Sequence, residues 1–254
     1  MIDIHCHILP GLDDGAQHID NSIDMVKLAK KEGINTIIAT PHHKNGRYEN
    51  TKHVIIRKVD ELNERLQKEN IKLTILPGQE PAINGELLED YQKGEVLSLN
   101  NTQYQFIELP SNHVPRYTTQ LLFDLQLRGL TPIIVHPERN QEIQERPELL
   151  YNMIEKGALA QLTAGAVCGK FGKRVKNLSF DLIEANLVHF IASDAHNIYK
   201  RSFNMGQAFD VIGSKYGIDM LSLFQENAEL VIEGKNVYRE APQQIKKKKF
   251  LGIF

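Results

Sequence analysis

Short, uniformly apolar runs recur along this chain, and segments with apolar residues three or four positions apart lie between them. Thr36–Ala39, Pro132–Val135, Leu159–Leu162 and Val188–Ala192 are apolar without strict alternation. Strands of that kind are covered on both faces, which is the condition of a parallel sheet. Met1–His5, Leu73–Leu76 and Tyr104–Leu109 complete a set of seven expected strands. The intervening segments read as helices. Ser22–Glu32 places Ile23, Val26 and Ala29 on one face and stops at Gly33. Ile55, Val59, Leu62 and Leu66 fall at i, i+4, i+7 and i+11. Thr118–Arg128 closes at Gly129, and Pro147–Lys156 carries its proline at the start. Val175–Asn186, Met205–Ser214 and Met220–Ile232 finish the series. Seven β/α units within one chain of this length favour a barrel. An open, doubly wound sheet is the alternative, and periodicity does not separate the two.

The chain has 254 residues, enough to bury a large core without covalent staples. No linker or repeat divides it, so residues 1–240 are expected to form one domain, followed by a basic and apolar tail over 241–254. The formal net charge of −2 exerts no general pull on nucleic acid, and no basic stripe or aromatic stacking platform is present, so no nucleic-acid partner is expected. Two cysteines, Cys6 and Cys168, argue against a disulfide framework and for a reducing compartment. The opening Met1-Ile2-Asp3-Ile4-His5 lacks the basic-then-apolar pattern of a secretion signal. No run of about 18 apolar residues exists to span a membrane. A cytoplasmic location is the resulting expectation. The tail sets four lysines, Lys246 to Lys249, before Phe250-Leu251-Gly252-Ile253-Phe254. A solvated end is the simpler interpretation, and contact with an anionic membrane face or a partner protein is the alternative.

The ends of the expected strands carry the chemistry. His5 and His7 form an H-x-H pair, and residues two apart in a strand point the same way. His42 and His43 follow the second strand, Glu80 the third, and Glu108 closes the fourth. His136 ends the fifth, and Asp194 and His196 end the seventh. Any one of these would pass as a cap or a satisfied polar residue. Six strands ending in His, Asp or Glu imply a shared site, because the C-terminal ends of barrel strands meet at one mouth. Carboxylates and imidazoles gathered there need cations to offset their desolvation. A mixture of nitrogen and oxygen ligands suits Zn, Mn or Fe better than Ca or Mg. His18, His53, His113 and His189 fall outside the pattern and read as structural or surface residues. His113 is placed to line a substrate cleft, and His43 to support a neighbouring ligand.

Asp3-Ile4-His5-Cys6-His7, then His42, Glu80, Glu108, His136 and Asp194-Ala195-His196, closely resemble the signature of the PHP (polymerase and histidinol phosphatase) family. The segments His5-Cys6-His7-Ile8-Leu9-Pro10-Gly11-Leu12-Asp13-Asp14-Gly15 and Ala39-Thr40-Pro41-His42-His43 resemble its Gram-positive CpsB/YwqE branch of tyrosine phosphatases. The resemblance implies a distorted TIM-like (β/α)7 barrel with three metal ions. It assigns His5, His7, Glu80 and Asp194 to the first ion, and Glu80, Glu108 and His136 to the second. Asp14, His42 and His196 fall to the third. The wider family often has His where Asp14 and Glu108 stand, and the extra carboxylates favour Mn(II), with Fe or Zn as alternatives. Asp13 is an alternative to Asp14. The implied substrates are tyrosine-phosphorylated proteins, chiefly an autophosphorylated bacterial tyrosine kinase and its targets in exopolysaccharide or capsule synthesis.

On this reading a metal-bridging hydroxide attacks phosphorus. Tyrosine departs as a phenolate of pKa about 10 and needs little acid assistance. Arg139 and Arg201, three and five residues beyond His136 and His196, are expected to cradle the phosphoryl oxygens. A competing motif is Cys168-Gly169-Lys170-Phe171-Gly172-Lys173-Arg174, which satisfies the C-x5-R spacing of cysteine-dependent phosphatases. Val167 and Val175 occupy the flanking positions where that loop has His and Ser or Thr, so a flexible, cationic rim is the expected role. The alternative functions are a small-molecule phosphatase, such as a histidinol phosphatase, and a non-catalytic scaffold that binds a kinase.

Overall fold

The computed structural model describes residues 1–245. Its strands are β1 (Ile2–Cys6), β2 (Thr36–Ala39), β3 (His42–His43), β4 (Thr74–Pro77), β5 (Glu80–Pro81), β6 (Tyr104–Ile107), β7 (Thr131–Val135), β8 (Leu159–Thr163) and β9 (Phe190–Ala192). Every named pairing is parallel. One sheet has the order β1-β2-β4, a second β6-β7-β8-β9, and β3 pairs β5 alone. Parallel neighbours need a crossover between them, and helices supply it. Ile19–Lys31 follows β1, Lys52–Lys68 follows β3, Thr118–Leu127 follows β6, Glu148–Glu155 follows β7 and Lys173–Glu184 follows β8. Met205–Tyr216 and Ile218–Glu233 close the chain after β9.

The seven expected strands correspond to β1, β2, β4 and β6 to β9. Their uniform apolarity is explained by two cores. Ile37, Ile134 and Ile191 pack outward with helix residues such as Ile55, Leu62, Leu122 and Leu182. Ile38, Ile133, Val135 and Phe190 pack on the other face with Ile4, Phe106 and Leu159. Ala228 and Val231 of Ile218–Glu233 join that second cluster, and Tyr104 Oη donates to Lys235 O at 2.6 Å. Neighbouring residues of one strand therefore serve opposite faces, and neither face is left to water.

The two larger sheets meet at the β1 margin, and the β3–β5 pair meets the end of β6. Cys6 bridges Ala195, and Ala82 bridges Glu108. Around these points Asp194 N donates to His5 O and His7 N to Ala195 O, each at 2.9 Å, while Glu108 N donates to Pro81 O at 3.0 Å. The two-residue strands β3 and β5, register His42↔Glu80, are additions to the expected set. Two residues carry no periodic signal. Among the described residues, no helix is long and apolar enough to cross a membrane. Gln243 N donates to Ala185 O and Asn186 Nδ2 to Ala241 O. The expected roles of the lysine cluster and of Phe250 to Phe254 lie outside the described residues.

Candidate metal centre

The strand ends deliver their polar side chains to one place. His5 Nε2 stands 3.4 Å from Glu80 Oε1 and from Asp194 Oδ1. His7 Nε2 is 3.2 Å from Glu80 Oε2 and from Asp194 Oδ1. His136 Nε2 reaches Glu80 Oε1 at 2.8 Å. His42 Nδ1 lies 2.9 Å from Glu80 Oε2 and 3.4 Å from Glu108 Oε2. Asp14 Oδ1 is 3.5 Å from His42 Nε2 and 3.3 Å from His196 Nε2. All nine expected ligands thus meet, and Glu80 occupies the middle.

Three groups have ligand atoms close enough to share an ion: His7, Asp14, His42 and His196; His5, His7 and Glu80; His42, Glu80 and Glu108. The grouping differs in detail from the expected one. His42 belongs to two groups, and His136 joins the cluster through Glu80. Asp14, not Asp13, meets His42 and His196. Asp13 instead holds His7, with Oδ2 2.6 Å from His7 Nδ1, and accepts from His42 N at 3.0 Å and Gly15 N at 2.9 Å.

Several buried polar atoms in this space lack a hydrogen-bond partner: His42 Nδ1, Glu80 Oε2, Glu108 Oε2, Asp194 Oδ1 and His196 Nε2. An unsatisfied buried donor or acceptor costs about 1–3 kcal/mol. Five in one cluster demand a shared partner that accepts lone pairs from both nitrogen and oxygen, and divalent cations fit that donor set.

Electrostatics agrees. Burial disfavours charge on His5, yet Glu80 and Asp194 outweigh it and raise its pKa. Burial likewise opposes charge on His7, and Asp13 overrides it, holding the imidazole well above its ordinary value. His42 is lifted to about 10 against its own burial, chiefly by Glu80. Glu80 is held well below the usual range despite burial, by His5 and His42. The carboxylates thus favour positive charge in the centre, which bound cations would supply.

The supporting contacts are specific. Gln161 Oε1, from β8, lies 2.8 Å from His5 Nδ1 and so orients the ring. Asp3 accepts from Ser193 N at 2.9 Å and from Ser193 Oγ at 2.5 Å, which ties β1 to the turn that carries Asp194. His136 and Asp194 both have positive φ, 35° and 52°. That region is sparsely populated by side-chain-bearing residues, and it aims both groups inward. Tyr48 stacks parallel to His42 with centroids 6.2 Å apart, and the Arg47 guanidinium carbon lies 5.0 Å from the centroid of the Tyr48 ring. Sequence reasoning missed Gln161, Ser193 and Tyr48. A glutamine inside the apolar run Leu159–Thr163 was the one available signal.

Both arginines reach the centre. Arg139 Nη1 donates to Asp194 Oδ2. Arg201 Nη2 donates to the same oxygen at 3.1 Å, and its Nη1 to Asp14 Oδ2 at 3.2 Å. Arg139 and Arg201 keep 27% and 34% side-chain exposure, so an incoming anion has access to both. The C-x5-R motif does not form a phosphate loop. Cys168 ends the helix Ala164–Cys168, its Sγ faces Asn204 O at 3.8 Å, and burial raises its pKa. His43 is buried beside His42, whereas His18 is exposed at the N-cap of Ile19–Lys31 and His53 is exposed on Lys52–Lys68. His113 lies in the exposed loop after β6, and its carbonyl accepts from Asn140 Nδ2 at 2.9 Å.

Residues 1–233 match the family model described as capsular polysaccharide synthesis, CpsB/CapC. The chain is 51% identical over 254 residues to the tyrosine-protein phosphatase YwqE of Bacillus subtilis, covering all of both chains. It is 30% identical over 238 residues to the tyrosine-protein phosphatase CpsB of Streptococcus pneumoniae, covering 91% of this chain and 98% of that one. Among solved structures it superposes with a TM-score of 0.95 at 51% identity on a chain from the crystal structures of YwqE and CpsB, described as unique metal-dependent tyrosine phosphatases. The match covers 97% of this chain and all of that one.

Proposed function

This chain belongs to the CpsB/CapC family of capsular polysaccharide synthesis, and from that premise and its polar centre we propose that it is a metal-dependent protein-tyrosine phosphatase. The observation that carries the proposal is the convergence of nitrogen and carboxylate atoms from six strand ends on one space, five of them buried without a hydrogen-bond partner.

His5, His7, Asp14, His42, Glu80, Glu108, His136, Asp194 and His196 are the proposed ligands, for three ions with Mn(II) favoured over Fe and Zn. Bound there, the cations supply a nucleophile from solvent at neutral pH and positive charge for the phosphoryl group. The chain does the rest. Asp13 and Gln161 hold the imidazoles of His7 and His5 in the tautomers that leave Nε2 facing inward. Arg139 and Arg201 turn from Asp194 to the phosphoryl oxygens and stabilise charge as it develops. The phenolate of tyrosine departs without a dedicated acid, since its pKa is about 10.

Residues 1–240 are read as one domain whose two sheets are the walls of a distorted (β/α)7 barrel, with the Cys6–Ala195 and Ala82–Glu108 bridges as its seams. The proposed substrates are phosphotyrosyl proteins of the cytoplasm, among them an autophosphorylated tyrosine kinase and its targets in exopolysaccharide or capsule synthesis. The names of the relatives support phosphotyrosyl proteins as substrates, and the family description supports the link to capsule synthesis.

The test compares phosphotyrosine peptide, phosphoserine peptide and histidinol phosphate as substrates of protein with measured metal content. Activity on phosphotyrosine should vanish with EDTA and return with Mn(II), and Cys168→Ser should keep it. A chelated, metal-free protein with full turnover, or a dead Cys168→Ser variant with its metals in place, would sink the proposal.

A further inference from the structure

Phe171 is among the few large apolar side chains left open to water, with 43% exposure. It stands in a four-residue loop between Gly169 and Gly172, both at positive φ, 85° and 89°. These glycines allow the chain to reverse between the helices Ala164–Cys168 and Lys173–Glu184. The ring is seated as well as exposed. An added Cβ on Gly165 would lie 3.1 Å from Phe171 Cε2, so the ring edge rests where that residue has no side chain. Lys170 N donates to Gly165 O at 2.8 Å and fixes the loop over the helix. The Arg139 guanidinium carbon lies 5.6 Å from the ring centroid. An aromatic residue is thus held at the proposed phosphoryl-binding arginine with much of its surface unused. Tyr48, which stacks on His42, has Arg47 over its ring instead, and Phe106, which packs on His5, is fully buried.

We propose that Phe171 is a specificity-determining residue, an aromatic wall that packs against the phenyl ring of the substrate's phosphotyrosine while Arg139 holds the phosphoryl group. The inference rests on the tyrosine-phosphatase reading and deepens it. In an aryl phosphate the ring is attached directly to the ester oxygen, so a phosphoryl group on Arg139 carries that ring to Phe171. Aromatic pairs attract at centroid separations of about 4.5–7 Å, in stacked or edge-to-face geometry. Inorganic phosphate engages Arg139 equally but has nothing to offer the ring.

The experiment uses the metal-loaded full chain, Phe171→Leu and Phe171→Tyr, and measures KM and kcat on a phosphotyrosine peptide beside the inhibition constant of inorganic phosphate. Phe171→Leu should raise KM for the peptide by about tenfold. Its phosphate inhibition should stay within about twofold of wild type, and Phe171→Tyr should restore the peptide KM. Gly165→Ala, which crowds the ring edge without touching Arg139, should reproduce a weaker form of the Leu phenotype. Peptide KM and phosphate inhibition weakening in parallel would mean that the ring only props Arg139, and would overturn the proposal. So would an unchanged peptide KM in Phe171→Leu. Absence of phosphotyrosine turnover in the wild-type protein is a separate outcome, which overturns the phosphatase reading itself.

Discussion

Gly15→Ala should disable the centre while leaving the fold standing. A Cβ at this position would sit 2.0 Å from the carbonyl oxygen of His7 and 2.6 Å from His7 Cβ, where real separations are essentially never under 3.0 Å. The contact must therefore open by about 1 Å, and both of its sides are backbone or close to it. The loop cannot simply swing away, because Ala16 N donates to His7 O at 3.1 Å and Gly15 N to Asp13 Oδ1 at 2.9 Å. Asp13 is in turn the partner of His7 Nδ1. The strain passes to His7 and to the neighbouring Asp14. Overpacking of this kind costs roughly 1–3 kcal/mol, against a total stability of about 5–15 kcal/mol for a domain. The variant should fold. Misplacing a catalytic constellation by about 1 Å costs on the order of 100-fold in rate. The assay is kcat/KM on phosphotyrosine peptide across a Mn(II) titration, with circular dichroism and a thermal melt on the same sample. Expected are a native spectrum, a melting temperature lower by a few degrees, weakened metal retention and about 100-fold slower turnover. A folded Gly15→Ala protein with wild-type metal content and turnover would show that this loop does not position His7.

Two further outcomes are expected. Arg139→Ala and Arg201→Ala should each keep metal content and lose turnover by about 100-fold or more, as removal of a charge-stabilising donor does; wild-type rates in both would exclude the arginines from the reaction. His189 concerns stability. It is 3% exposed, its Nδ1 accepts from Ala160 N at 3.2 Å, and burial, aided by Arg239, pushes its pKa down to about 3 from 6.5. The fold keeps this imidazole neutral, whereas the unfolded chain takes up a proton below pH 6.5. Stability is therefore complete above that value and falls at about 1.4 kcal/mol per pH unit below it. At pH 5 the loss from this residue is about 2 kcal/mol. His189→Gln should be somewhat less stable at pH 7.5 but lose about 2 kcal/mol less on moving to pH 5, read from urea midpoints. An unchanged difference between the two pH values would refute it.

Much of this architecture was legible because parallel strands buried on both faces have a simple signature. Thr36–Ala39 was placed to the residue, and the later strands fell within a few positions of expectation. The residues of the centre were legible because strand ends in a β/α fold converge, so His5, Glu80, His136 and Asp194 needed no contact information to be grouped. What failed was anything set by approach distance. Asp13 and Asp14 are adjacent and chemically alike, and only the turn around Gly15 sends one to His7 and the other to His42 and His196. The C-x5-R spacing of Cys168 and Arg174 suggested a loop, but Ala164–Cys168 is helical and turns the thiol toward Asn204. Phe171 carried no signal at all, since its position depends on a glycine six residues earlier.

The pairing of Asp3 with Ser193 spans 190 residues of sequence. A ribosome therefore releases most of the chain before His5 can face Asp194. The group His7, Asp14, His42 and His196 is completed only when the turn after the final strand docks, whereas His42, Glu80 and Glu108 all belong to the first half of the chain. Contacts so distant along the chain also form slowly. Damage to the β1–β9 seam would then part Asp194 and His196 from His5 and His7 while leaving His42, Glu80 and Glu108 together.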